Sequence, residues 1–170
     1  HWLRVLYCYP DSTEDRLLDE ISNNPKVAPY LDLPLQHIND DLLRRMNRRG
    51  DIEKTRALLK KAREMGFILR TTFITGFPGE TEEEYEETRQ TIRNVGYAKI
   101  HVFPYSPREG TKAAVMPGQL SKAVKERRTR ELIALGEETA AAYQAQWLGR
   151  ESTVLIEEKI GDVWYGYTPE

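Results

Sequence analysis

Apolar and polar positions change period several times along the chain. Leu3-Arg4-Val5-Leu6-Tyr7-Cys8-Tyr9 is an apolar, β-prone run closed by Pro10, and it predicts a first strand. Thr13 reads as the cap of a helix with Leu17, Leu18 and Ile21 on one face, stopped by Pro25. Tyr30-Leu31-Asp32-Leu33 predicts a short strand before Pro34. Leu42, Leu43 and Met46 mark a short helix that Gly50 closes. Ile52, Thr55, Leu59, Ala62 and Met65 recur at helical spacing up to Gly66. Residues 67–75 carry the clearest strand signal, with two β-branched pairs. Thr81-Glu82-Glu83-Glu84 is a capping box, and Tyr85, Thr88, Ile92 and Val95 then share a helical face. Residues 99–105 predict another strand. One long helix is expected over residues 120–147, with Ile133, Ala140, Tyr143 and Trp147 as its buried stripe. Residues 152–157 and 163–167 read as a terminal hairpin turning around Gly161-Asp162.

Strands starting near residues 3, 30, 67 and 99, with helices between, have the βα rhythm of a parallel sheet with crossover helices. Four such units are too few for a closed eight-stranded barrel. The pattern fits part of a larger barrel or a small open sheet. The last hairpin breaks the rhythm. The expected division is residues 1–150 as one α/β domain and 151–170 as the beginning of a small β domain.

Composition narrows the function classes. The 170 residues carry 25 Lys+Arg against 27 Asp+Glu, a formal charge of −2, which excludes a polycation or an acidic tail. No apolar run approaches the ~18 residues of a membrane span, and the first residues lack the build of a signal peptide. Cys8 is the single cysteine, so no internal disulfide forms, and a reducing, cytoplasmic setting is expected. One cysteine also cannot build a zinc or iron–sulfur site by itself. Without an initiator Met, the chain reads as a piece of a longer or processed protein.

Ligands of parallel α/β folds sit at the C-terminal ends of the strands. Gly76-Phe77-Pro78-Gly79-Glu80-Thr81 joins a strand to a capped helix there, where glycines and free helix N–H groups admit a ligand. The loop is neither a Walker loop nor a three-glycine dinucleotide loop. A Pro-Gly turn plus a helix cap explains the same residues without a ligand. Gln36-His37 could bind a ribose or supply a base, or be structural. Arg70 lies inside an apolar strand, where a charge needs a partner: a ligand carboxylate or a core acid such as Asp32. Arg44, Arg45, Arg48 and Arg49 could touch phosphates or form a solvated helix face. Lys122, Lys125, Arg127, Arg128 and Arg130 have the same two readings. Cys8 is most simply a small buried residue.

Taken together, three segments resemble one family. They are Tyr30-Leu31-Asp32-Leu33-Pro34-Leu35-Gln36-His37 with Met46-Asn47-Arg48-Arg49-Gly50, then Leu69-Arg70-Thr71-Thr72-Phe73-Ile74-Thr75-Gly76-Phe77-Pro78-Gly79-Glu80-Thr81, then Val102-Phe103-Pro104-Tyr105-Ser106-Pro107-Arg108-Glu109-Gly110-Thr111. They resemble the radical S-adenosylmethionine (SAM) methylthiotransferases. The resemblance implies a partial radical SAM (βα) barrel with about four of its six parallel strands, then a long helix and the start of a TRAM domain. It implies S-adenosylmethionine and two [4Fe–4S] clusters as cofactors of the full-length protein. The family's Cys-x-x-x-Cys-x-x-Cys loop is absent here, so the chain alone is expected to be inactive, with no metal ligands and no catalytic residue of its own.

By the same resemblance, Ile74, Gly76, Pro78 and Gly79 match the adenine-contacting motif, Gln36 faces the nucleoside, and Phe103 and Tyr105 lie beside the adenine. Thr72 is included among the cofactor contacts, and His37, Arg48 and Arg108 are candidate substrate contacts. Leu6-Tyr7-Cys8-Tyr9-Pro10 and Leu33-Pro34-Leu35-Gln36-His37 resemble the subfamily that methylthiolates an aspartate of ribosomal protein S12. Residues 100–108 and Gly166-Tyr167-Thr168 resemble the subfamily that modifies an adenosine beside the tRNA anticodon. The expected partner is therefore the ribosomal protein, with tRNA as the alternative, besides the missing N-terminal half of the same protein. Two rival readings remain: a non-catalytic binding remnant without the cluster, and an unrelated βα-barrel enzyme using Glu80, His37 and His101 as acid–base groups.

Overall fold

Three parallel strands order the molecule. In the computed structural model, which describes residues 2–169, β1 (Tyr30–Asp32), β2 (Ile68–Thr75) and β3 (Lys99–Pro104) lie side by side in the order β1-β2-β3. Asp32 stands opposite Arg70, and Thr72 opposite His101. A parallel pair needs a crossover, and helices provide it. α1 (Asp15–Asn23) precedes β1. α2 (Asp40–Arg45) and α3 (Ile52–Glu64) join β1 to β2, and α4 (Glu82–Val95) joins β2 to β3. α5 (Lys122–Ala145) follows and packs on β3 and β2. β4 (Leu155–Ile160) and β5 (Val163–Tyr167) form an antiparallel hairpin.

The helix starts follow from local chemistry. Asn39, Asp51 and Ser121 each accept a backbone N–H of the first turn of α2, α3 and α5. Thr81 and Glu84 form the reciprocal capping box that opens α4. On β2 the side chains alternate: Leu69, Thr71, Phe73 and Thr75 are buried, while Arg70, Thr72 and Ile74 are only partly covered. One face of the sheet thus meets the helices and the other stays open. The covered face packs Leu31, Leu69, Phe73, Tyr85, Ile92 and Tyr97, with Phe73 and Tyr97 edge to face at 6.3 Å.

Three local expectations change. Residues 3–9 form no regular strand. Leu3 makes one isolated parallel bridge to Val27, and Cys8 N–H donates to Asp32 O at 2.9 Å. Tyr7 between them has φ 59°, and a left-handed residue interrupts a ladder. The parallel sheet therefore has three strands and an extended edge segment rather than four strands. Thr13 does not cap α1: Glu14 occupies that position, and the Thr13 hydroxyl donates to Tyr9 O at 2.8 Å. In α5, Ile133 is 43% exposed, and the buried face is Arg128, Thr129, Leu132, Leu135 and Gly136. Gly136 explains the rotation. A Cβ there would lie 2.3 Å from Ile100 Cγ1, so the helix meets β3 along this bare position. Ala140, Tyr143 and Trp147 are partly buried.

Gly136→Ala should destabilise the fold by about 1–3 kcal/mol in urea unfolding, because the core would be overpacked. A helix position without that contact would instead gain about 1 kcal/mol from the same change.

Candidate functional site

The open face of the sheet walls a cavity of about 880 Å³. β2 supplies Arg70, Thr72 and Ile74, and β3 supplies His101, Phe103 and Pro104. Gln36 follows β1, and Tyr105 and Arg108 follow β3. Tyr7, Cys8, Tyr9, Met46, Arg48 and Phe77 complete most of the wall. A smaller cavity of about 360 Å³, with Tyr30, Lys99 and Trp147 in its wall, lies at the opposite ends of the strands. The larger one sits where parallel α/β sheets hold their ligands.

Gln36, like Tyr7, is a wall residue with left-handed backbone. Its φ is 70°, left-handed backbone that costs a non-glycine residue roughly 1–2 kcal/mol. Two hydrogen bonds to β2 hold it: Gln36 N–H donates to Thr72 O, and Ile74 N–H donates to Gln36 O, both at 2.8 Å. Backbone held in such a conformation is a common feature of functional sites.

The structure thus brings Gln36, Thr72, Ile74, Phe103 and Tyr105 to one cavity, along with Arg48 and Arg108. Gly76, Pro78 and Gly79 stay outside its wall. A Cβ on Gly76 would meet Lys125 Cγ at 2.3 Å, and one on Gly79 would meet Arg45 Nη1 at 2.6 Å, so side chains already cover this loop. Their positive φ values, 71° and 78°, make the turn itself a reason for glycine. Phe77, between them, reaches the cavity and packs edge to face on Tyr105 at 5.1 Å. Tyr105 Oη is buried with no hydrogen-bond partner among the described residues. Phe77 has no site role in the sequence reading, and His101 enters there only as an acid–base group of a rival enzyme. Strand alternation gave a signal for His101, two residues before Phe103.

His37 lies behind the wall, 1% exposed, and this burial removes it from substrate contact in this structure. Its Nδ1 accepts from Asn39 N–H at 3.1 Å, so Nε2 carries the proton and faces Glu80 Oε1 at 3.3 Å. Glu80 is also buried. Its Oε2 accepts from Gly76 N–H at 2.5 Å and from Arg128 Nη1 at 2.7 Å. The Arg128 guanidinium reaches Glu82 as well and lies 4.9 Å from the Tyr85 ring centre. His37, Glu80 and Arg128 therefore fix the end of β1, the β2–α4 loop and α5 to one another. Arg128, which the sequence groups with a basic helix face, is a core residue.

Arg70 has the partner its burial requires. Asp32 Oδ2 accepts from Arg70 Nη1 at 3.3 Å, and Arg70 Nη2 stands 2.8 Å from His101 Nε2. Burial, then the charges of Arg70 and Lys99, push the His101 imidazole below its ordinary value of 6.5. Burial and the Asp32 charge push the Cys8 thiol up.

Removing Arg128 (Arg128→Met) leaves Glu80 buried without its cation and should cost about 3–5 kcal/mol in urea unfolding. A loss under 1 kcal/mol would contradict the anchoring role. For His101 the folded state binds its proton less readily than the unfolded chain. Its contribution to stability is therefore full above pH 6.5 and falls as the pH drops through that value towards the folded one. An NMR titration should give His101 a midpoint below 6.5; a midpoint above that value would contradict the electrostatics.

Against known proteins, residues 2–92 match the radical SAM superfamily. The ribosomal protein uS12 methylthiotransferase RimO of Thermoanaerobacter sp. (strain X514) is 40% identical over 166 residues, 97% of this chain and 38% of that protein. The RimO of Clostridium perfringens (strain SM101 / Type A) is 42% identical over 171 residues, 99% of this chain and 38% of that protein. The chain thus spans 38% of the length of these curated relatives. Among solved structures, the radical SAM enzyme coproporphyrinogen III oxidase (HemN) from Escherichia coli superposes with a TM-score of 0.66 at 24% identity, over 81% of this chain and 32% of that one, which bears on the fold alone. A partial radical SAM barrel, a superfamily match over the first half and motifs shared with the methylthiotransferases agree: the chain belongs to the radical SAM superfamily, in its methylthiotransferase family.

Proposed function

We propose that the cavity is part of an S-adenosylmethionine site, with Gln36, Thr72, Ile74, Phe103 and Tyr105 against the nucleoside. The observation that carries this reading is the wall itself. Phe103 leaves a ring 55% exposed beside Ile74, with Gln36 held left-handed across from it as a polar group. A purine stacked on such a ring covers apolar surface while an amide pairs with its edge or with the ribose. The buried, unpartnered Tyr105 Oη offers one more polar atom. Gly76, Pro78 and Gly79 act on this reading by shaping the β2–α4 turn that carries Phe77.

When bound at a reducing [4Fe–4S] cluster, the cofactor supplies a 5′-deoxyadenosyl radical for hydrogen abstraction. This chain's residues fit the nucleoside and not the cluster. Its single thiol, Cys8, cannot make up the thiolate set of a [4Fe–4S] cluster, and no chemical step through a cluster falls to the residues present. Their part is to bind, orient and shield the nucleoside. The second cluster that the family resemblance implies is likewise assigned outside this chain. Residues 1–150 then belong to the barrel, and the β4–β5 hairpin within 151–170 opens a TRAM-type domain.

For the whole protein we take methylthiolation of an aspartate of ribosomal protein S12 as the activity, supported by relatives that carry the uS12 methylthiotransferase name. A tRNA substrate is the second reading. It is favoured by Arg48, which lies 5.9 Å from the Tyr9 ring centre, and Arg108 at the cavity, since cations there suit phosphates.

Calorimetric titration with S-adenosylhomocysteine tests the site. The wild-type chain should bind, and Phe103→Ser should weaken binding about tenfold or more, the size of a lost base–aromatic stack. Its unfolding free energy should stay within about 0.5 kcal/mol, because the ring is exposed. Equal binding by both chains would remove Phe103 from the site.

A further inference from the structure

Residues 106–120 run from the end of β3 to the start of α5, and Ser106, Arg108, Thr111 and Ala113 of this loop stand in the cavity wall. Both ends of the loop are tied down beside the end of β2. At its return, Gly79 N–H donates to Gly118 O at 2.8 Å. At its departure, Tyr105 N–H donates to Thr75 O at 2.8 Å. The Tyr105 carbonyl in turn accepts from Lys125 Nζ, on α5, at 3.2 Å. Gly76 leaves room for that lysine. The stem passes so close that a Cβ on Gly76 would lie 2.3 Å from Lys125 Cγ and 3.0 Å from its Cδ.

Lys125 belongs to one face of α5. Lys125, Arg128 and Thr129 stand at i, i+3 and i+4, so they share that face. Arg128 holds Glu80, and Thr129 Oγ1 lies 2.7 Å from Thr75 Oγ1. The same face therefore grips the end of β2, the turn after it and the end of β3. The Lys125 ammonium also lies 5.7 Å from the Tyr105 ring centre, within cation–π reach. Tyr105 thus meets Lys125 by its carbonyl and by its ring, and its ring meets Phe77 edge to face at 5.1 Å. A donor that carries charge makes a stronger hydrogen bond than a neutral one, and here it sets the direction in which the chain leaves β3. A neutral side chain of the same length would keep the packing over Gly76 and lose both electrostatic contacts.

We propose that Lys125 is a positioning residue of the cavity: it holds Tyr105, and with it Phe77 and the start of the 106–120 loop, in the place where the ligand meets them. Gly76 serves this contact by leaving its Cβ position to the lysine stem. Lys125 stands outside the cavity wall, so its effect on a ligand is exerted through Tyr105. The proposal rests on the reading of Tyr105 as a nucleoside contact, and its test keeps the two apart.

The test compares the wild-type chain with three variants. Lys125→Met keeps the stem and loses the ammonium, and Lys125→Arg restores a charged donor. Lys122→Met removes one charge from an exposed position of the same helix end. In the ligand-free ¹³C,¹⁵N-labelled chain, Lys125→Met should move the Tyr105 carbonyl ¹³C resonance upfield and weaken the nuclear Overhauser contacts between the Phe77 and Tyr105 rings. Lys125→Arg should restore both. In calorimetric titration with S-adenosylhomocysteine, Lys125→Met should bind about three- to tenfold more weakly, part of the value of a charged hydrogen bond, with Lys125→Arg and Lys122→Met within about twofold of wild type. An unmoved Tyr105 carbonyl and unchanged ring contacts in Lys125→Met overturn the clamp whatever the nucleoside does. A loosened Tyr105 with unchanged affinity, or a loss of affinity that Lys122→Met reproduces, overturns the positioning role. A wild-type chain that binds no S-adenosylhomocysteine, while Tyr105 loosens in Lys125→Met, counts against the nucleoside site and leaves the clamp standing.

Discussion

The structure turns on one buried carboxylate. Glu80 stands just past β2 and accepts from the Gly76 backbone and from Arg128, while His37 faces its other oxygen. A lone ion at that depth would be expelled or neutralised, so each neighbour is needed to keep it there. The return is geometric. His37 is next to Gln36, Gly76 is next to Phe77, and Arg128 comes from α5. One group therefore sets the backbone on both sides of the cavity and the helix behind it. None of the three side chains touches the cavity of the candidate cofactor site.

The second constraint is the period of two along a strand. On β2 it sends Leu69, Phe73 and Thr75 into the helices and Arg70, Thr72 and Ile74 to the open face. On β3 it sets His101 and Phe103 beside them. The apolar end of this face, near the strand ends, suits a nucleoside. The polar end beneath it carries Arg70 and His101. A single sheet face thus offers two kinds of chemistry in depth.

Much of this was legible beforehand. Residues 67–75 and 99–105 announce themselves by β-branched runs, and the α4 start by its capping box. The strand ends that line the cavity follow from those assignments. Arg128 was not legible, because Lys125, Arg127 and Arg130 surround it and nothing local says which cation turns inward. That choice is made by Glu80, 48 residues away in sequence. The phase of α5 was hidden for a similar reason: Gly136 meets Ile100, while the apolar stripe read from Ile133 favours a different face. Residues 3–9 read as a strand by composition, but a left-handed Tyr7 breaks their ladder, and composition does not encode φ.

The most direct measurement is a backbone ¹H–¹⁵N shift map of the chain as S-adenosylhomocysteine is added. The account predicts that the shifts gather at Gln36, Thr72, Ile74, Phe103 and Tyr105. Shifts gathered instead around Tyr30, Lys99 and Trp147, at the opposite ends of the strands, would contradict it.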